Sequence, residues 1–140
     1  MNLRNSTMNK SNMIIMLDTH VLIWFLTDYK RIPDINRVII LNPDNKVYIS
    51  EVCIWEITVK MNIGKLKLGF TLDELYDVLE RKMFTLLPIS REHFKVHRFL
   101  PYLHKCPFDR LLISTAIAED IHFMSEDSRI HKYDKLKWIW

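Results

Sequence analysis

Ile14-Ile15-Met16-Leu17-Asp18-Thr19-His20 decides the fold of this chain. An unbroken apolar run stops abruptly at a carboxylate. Such a run, bounded by polar residues, is the pattern of a strand buried on both faces. Val21-Leu22-Ile23-Trp24-Phe25-Leu26 follows, too apolar for a loop, and predicts a helix to about residue 26. Asp18 therefore stands where a strand ends and a helix begins. In an open α/β sheet that edge is where ligands bind. A half-buried acid needs a hydrogen bond, a cation or a metal, and the immediate sequence offers none.

Working outward, the same alternation repeats. Pro33 suits the first turn of a helix over residues 33–41. Asn42-Pro43-Asp44-Asn45 is a turn cluster. Residues 46–49 predict a second strand, and Ser50 caps a helix over 51–62 that Gly64 ends. Thr71-Leu72-Asp73-Glu74 is a capping box opening a helix to residue 82. A third strand follows over 84–89, then a helix over 91–103 capped by Ser90. Pro107-Phe108-Asp109 precedes an apolar helix over 110–119. Residues 121–125 predict strand four, 128–132 a helical turn, and 136–139 strand five. Strands alternating with helices argue a parallel sheet covered on both faces. Residues 1–12 read as a polar, flexible extension, and 13–140 as one domain.

Composition narrows the chemistry. The 140 residues are 49% hydrophobic and 26% charged, a globular balance. With only Gly64 and Gly69, no glycine-rich phosphate loop exists. The net charge of +3 is mildly basic and compatible with nucleic acid. Cys53 and Cys106 form no CxxC pair and read as free thiols of a cytoplasmic protein. No apolar run approaches transmembrane length. His93 and His97 share i, i+4 spacing without an HExxH motif, so a solvated helix face is expected for them; His104 receives no role.

Four acids stand out by position: Asp18 after strand one, Glu56 in the helix after strand two, Asp109 before strand four, and Asp127 just after it. Each has an ordinary alternative. Asp18 and Asp109 are both good helix caps. Glu56 is spaced to pair with Lys60 on an exposed face, with Glu51 as its rival. Glu126 competes with Asp127. Carboxylates gathered in one cleft cannot all ionise without a cation, and hard oxygen ligands select Mg²⁺ or Mn²⁺. Such a site suits phosphodiester hydrolysis by a metal-activated water. Lys60, Lys65, Lys105, Arg110, Arg129 and Lys132 lie near the acidic blocks in sequence. They are candidate contacts for an RNA backbone, and His20 is a candidate substrate contact. The helix holding Trp24, Phe25 and Leu26 is apolar nearly all round and suggests a buried face plus an oligomer or partner-protein contact.

At these residues a family resemblance emerges. Leu17-Asp18-Thr19-His20-Val21-Leu22-Ile23-Trp24, Ile49-Ser50-Glu51-Val52-Cys53-Ile54-Trp55-Glu56-Ile57, Gly64-Lys65-Leu66, Pro107-Phe108-Asp109-Arg110-Leu111-Leu112-Ile113 and Ser125-Glu126-Asp127 resemble the PIN-domain family. The likeness is to its VapC-type toxin ribonucleases of toxin–antitoxin pairs. It implies a three-layer α/β/α sandwich with a five-stranded parallel sheet in order 3-2-1-4-5. It also implies a Mg²⁺- or Mn²⁺-dependent endoribonuclease, commonly a homodimer, held inactive by a cognate antitoxin. By position the family's acids fall on Asp18, Glu56, Asp109 and Asp127. Asp18 and Asp109 would be direct metal ligands, with Glu56 and Asp127 completing the pocket. Ser50 and Ser125 match its small hydroxyl positions. Cys106 departs from the pattern, standing where relatives often carry an acid. The alternative is a catalytically silent PIN-like module that binds RNA or protein; loss of an acid would favour it, and none is lost. A receiver domain needs further paired acids near the N-terminus, and a haloacid-dehalogenase-type phosphatase needs a second Asp where His20 stands.

Overall fold

The computed structural model describes residues 12–82 and 84–140. β1 (Ile14–Leu17) leads into α1 (Thr19–Thr27), a 3₁₀ turn (Tyr29–Arg31) and α2 (Asp34–Leu41). β2 (Lys46–Ser50) is followed by α3 (Glu51–Asn62) and α4 (Leu72–Arg81). Then come β3 (Thr85–Leu87), α5 (Arg91–Arg98), α6 (Pro107–Glu119), β4 (His122–Met124), a second 3₁₀ turn (Ile130–Lys132) and β5 (Lys137–Ile139).

All four strand pairings are parallel, in the order β3-β2-β1-β4-β5. β1 is central: Met16 pairs with Tyr48 of β2 on one side and Phe123 of β4 on the other. Ile15, Met16 and Leu17 are fully buried, as an apolar run with no alternation requires. The chain steps from β1 outward to β3, then returns to the other side of β1 for β4 and β5. Right-handed crossovers then send helices to both faces of the sheet. The order reverses between β1 and β4, so a crevice opens at the carboxyl ends of those two strands.

Local chemistry sets the helix ends. The Ser50 hydroxyl accepts the Val52 N–H at 3.0 Å and caps α3. Thr71 and Glu74 form the expected reciprocal capping box. Asp120 closes α6 in the left-handed region at φ 55°.

Several boundaries differ from the sequence reading. The helix expected over 91–103 stops at Arg98, because Pro101 cannot continue it and Arg110 takes the Leu100 and Pro101 carbonyls. α6 starts three residues earlier than expected, with Pro107 at its first position, where a missing N–H costs nothing. β3 is cut to three residues ahead of Pro88, which cannot donate to a ladder. His93 is buried rather than solvated; its Nδ1 accepts the Ser90 N–H and its Nε2 lies 3.7 Å from Glu119 of α6. The polar extension expected at residues 1–12 lies outside the described residues except for Asn12. No helix among the described residues is long and apolar enough to cross a membrane.

Candidate metal centre

The four acids meet at the β1/β4 crevice. Asp18 follows β1 directly, and its backbone N–H continues the ladder to Met124 O at 2.9 Å. Its side chain does not cap α1. Instead one oxygen, Oδ2, accepts the Ser125 hydroxyl at 2.7 Å, from the residue after β4. Glu56 projects from the second turn of α3 and is only 2% exposed. Asp109 sits in the first turn of α6 and is 7% exposed. Asp127 lies just beyond β4, its backbone N–H donating to Ser125 Oγ at 3.2 Å. Ser125 thus orients one acid with its proton and receives the amide of another.

A histidine to which the sequence reading gave no role links two of these acids. His104 is 2% exposed, and its Nδ1 accepts the Cys106 N–H at 3.0 Å. That bond leaves the ring proton on Nε2. Nε2–H donates to Asp127 Oδ2 at 2.9 Å, with Asp109 Oδ2 3.1 Å away. His104, Asp109 and Asp127 are close enough to share an ion. Both ring nitrogens are already engaged in hydrogen bonds, so His104 serves here to hold the two acids together. Neighbouring loop contacts fix it: the Tyr133 hydroxyl accepts the N–H groups of Leu103 and His104 and donates to Pro101 O.

Electrostatics mark the cluster as short of positive charge. Burial pushes the Asp18 carboxyl up to about 7; Asp109 and Glu56 add to this, while the Ser125 hydroxyl opposes it. Burial, then Glu56, also raises Asp109, and His104 opposes the shift. Asp127 behaves differently. Burial pushes it up, but hydrogen bonds from Arg129 and His104 outweigh that and hold it at about 2. Burial drives the Cys53 thiol well above its usual range, and its Sγ lies 3.6 Å from Leu17 O, so it is a packed thiol beneath the site. Cys106 is half-buried and free.

Two oxygens test whether a cation fits. Asp18 Oδ1 and Glu56 Oε1 are buried with no hydrogen-bond partner among the described residues. An unpaired buried carboxylate oxygen is costly. With Asp109, which acts electrostatically on Asp18, these two oxygens are hard, anionic donors of the kind a divalent ion of the Mg²⁺ or Mn²⁺ class takes, while the side chains whose ligand atoms lie close enough to share one ion are His104, Asp109 and Asp127.

The remaining candidates fall in several places. Lys60 does pair with Glu56, at 2.6 Å, but on a buried acid rather than an exposed one. Glu51 and Glu126, the rivals of Glu56 and Asp127, are both exposed. Ser50 is committed to capping α3. Arg129 forks Asp127, with Nε on Oδ1 at 3.1 Å and Nη2 on Oδ2 at 3.0 Å. His20 is exposed and lines a cleft beside Asp18 and Asp127. Arg110, one of the candidate RNA contacts, is buried. Its guanidinium donates to the Pro101, His104 and Leu100 carbonyls and the Tyr133 hydroxyl, so it braces the loop that carries His104. Lys65, Lys105 and Lys132 are exposed.

Ser125→Ala removes the only hydroxyl proton given to Asp18 among the described residues. We expect divalent-ion affinity to fall roughly 10–100-fold, the usual cost of losing a group that orients a metal ligand. Calorimetric Mn²⁺ titration reads this, and an unchanged affinity would remove Ser125 from the site.

Comparisons with known proteins agree with this architecture. A family model described as PIN domain matches residues 15–136. No curated protein matches. Among solved structures, VapBC2 from Rickettsia felis, bound to a DNA fragment from its promoter, has a TM-score of 0.70 at 21% identity, covering 91% of this chain and 98% of that one. VapBC-1 from nontypeable Haemophilus influenzae gives 0.65 at 19% identity, covering 91% and 97%. VapBC-5 from Mycobacterium tuberculosis, a member of a toxin–antitoxin family, gives 0.54 at 15% identity, covering 90% and 97%.

Proposed function

Because the chain belongs to the PIN domain family, we propose that it is a Mg²⁺- or Mn²⁺-dependent endoribonuclease. We further propose that it is the cytoplasmic toxin of a toxin–antitoxin pair, restrained by a cognate antitoxin protein and working as a homodimer. The observation that carries the enzymatic reading is the pair of orphaned oxygens, Asp18 Oδ1 and Glu56 Oε1, in a buried cluster with Asp109. Loss of an acid would favour a silent binding module, and all four acids are present. Structural neighbours from toxin–antitoxin systems support the choice of partner.

Asp18 and Asp109 would hold the ion, with Glu56 and Asp127 completing its surroundings. A bound divalent ion supplies a water of lowered pKa and offsets charge on the phosphate. The protein's own groups do the positioning. Ser125 fixes one oxygen of Asp18 and leaves the other free. His104 holds Asp127 and Asp109 at one nitrogen. Lys60 neutralises part of Glu56. No nucleophilic side chain is required.

Antitoxin-free protein incubated with single-stranded RNA and Mn²⁺ or Mg²⁺ should cleave it, and EDTA should stop cleavage completely. Cleavage that survives EDTA, or no cleavage of any RNA offered to protein shown free of a co-purified partner, would overturn this reading.

A further inference from the structure

Beside the acids lies a cleft of about 500 Å³ lined by Asp18, His20, Trp24, Arg31, Asp127 and Arg129, among others. Its cations are not equivalent. Arg129 is spent on Asp127. Arg31 is different. Its guanidinium lies 4.3 Å over the Trp24 ring. Among the described residues it makes no ion pair and its side chain makes no hydrogen bond. Glu126 lines the same cleft without pairing with it.

The platform beneath Arg31 is well packed. Trp24 is 8% exposed, and Trp140 packs against it with ring centroids 5.9 Å apart. Stacking uses the flat face of a guanidinium and leaves its edge donors pointing outward. Those edge donors form the planar fork that matches two oxygens of one phosphate. A lysine can supply the charge, but neither the stack nor the fork. An unspent guanidinium held over Trp24, in the same cleft as Asp18 and Asp127, therefore has an evident ligand.

We propose that Arg31, held on Trp24, binds a backbone phosphate of single-stranded RNA flanking the linkage at the acid cluster. This rests on the ribonuclease reading and adds the direction in which the strand leaves the site, across α1 and the 3₁₀ turn that follows it. The polar, open cleft favours a nucleic-acid backbone over a protein segment.

The test uses the full chain in an Asp109→Asn background, so that a short fluorescein-labelled single-stranded RNA stays intact, with Mg²⁺ present. Fluorescence anisotropy against salt should show that Arg31→Ala weakens binding roughly tenfold and makes the log–log salt slope shallower by about 1. Arg31→Lys should restore the slope but not the affinity. In the cleaving protein, Arg31→Ala should raise KM while leaving kcat within about twofold. Equal affinity and slope for Arg31→Ala and its parent would overturn the proposal, as would a loss confined to binding of a protein partner. RNA binding that depends on Arg31 in a chain that never cleaves would overturn the enzymatic reading and leave the phosphate site standing. A parent that binds no RNA would overturn both.

Discussion

Asp18→Asn should abolish RNA cleavage and, in the same protein, raise stability above pH 7. Both effects come from one burial. The folded Asp18 carboxyl keeps its proton up to about pH 7, whereas an ordinary Asp releases it near 3.8. Between these values the folded state binds more protons than the unfolded state, so stability falls as pH rises through the window. The full difference reaches about 4 kcal/mol above pH 7. Asp109, also raised, adds in the same direction. Asp127 works the other way. Its contribution is present above its ordinary value and is lost only as pH falls towards about 2. Asn carries no charge to bury, still accepts the Ser125 hydroxyl proton, and presents an N–H where Asp18 has an orphaned acceptor. The native protein should therefore unfold at a lower temperature at pH 8 than at pH 5, and Mg²⁺ should recover much of the loss. Asp18→Asn should show neither the pH drop nor the Mg²⁺ rescue. Its activity should fall by more than roughly 100-fold, beyond the cost of disturbing a group that merely supports a ligand. Parallel thermal unfolding curves for the two proteins at pH 8, with and without Mg²⁺, would sink this account.

The second large effect is expected at His104, and two isosteric changes separate its two bonds. His104→Asn keeps an acceptor near Nδ1 for the Cys106 N–H and loses the donor at Nε2. His104→Gln keeps a donor near Nε2 and loses the acceptor at Nδ1. If the bridge between Asp109 and Asp127 is what serves catalysis, His104→Asn should fold with little loss yet cleave about 10–100-fold more slowly. His104→Gln should keep much of the activity while losing about 1–3 kcal/mol of stability, because a buried N–H is left unpaired. His104→Ala should lose on both counts. Activity retained by His104→Asn would show that His104 serves only to brace its loop.

Much of this site was legible in the chain because its strands carry unambiguous signals. The run ending at Asp18 is the pattern of a buried strand, and the structure buries Ile15, Met16 and Leu17 of it; the Pro107-Phe108-Asp109 block places an acid at a helix start. Those signals are local: a strand period, a cap, a proline. His104 carried no such signal. It lies in a loop, has no motif partner at ligand spacing, and meets Asp127 only because Tyr133 and Arg110 fold residues 100–104 back over α6. Arg110 was misleading for the same reason. Its position next to Asp109 suggested an exposed cation, but side-chain direction on a helix turned it into the fold. The helix end at Arg98 differs because tertiary hydrogen bonds to the 100–101 carbonyls outweigh local helix preference, while the start at Pro107 reflects proline's own fit to a first helical position. Arg31 was overlooked because the stacking partner that gives it a fixed direction is a packing fact rather than a sequence one.

The hydroxyl that orients Asp18 belongs to a residue 107 positions further along the chain. Ribosomes build a protein from its first residue forward, at about 5–20 residues per second. A half-made copy therefore holds Asp18 and Glu56 but has neither Ser125 nor the loop bearing Asp127. For a chain proposed to cut RNA, this sequence order acts as a timer: the cutting centre cannot close until the segment bearing Ser125 and Asp127 has been made.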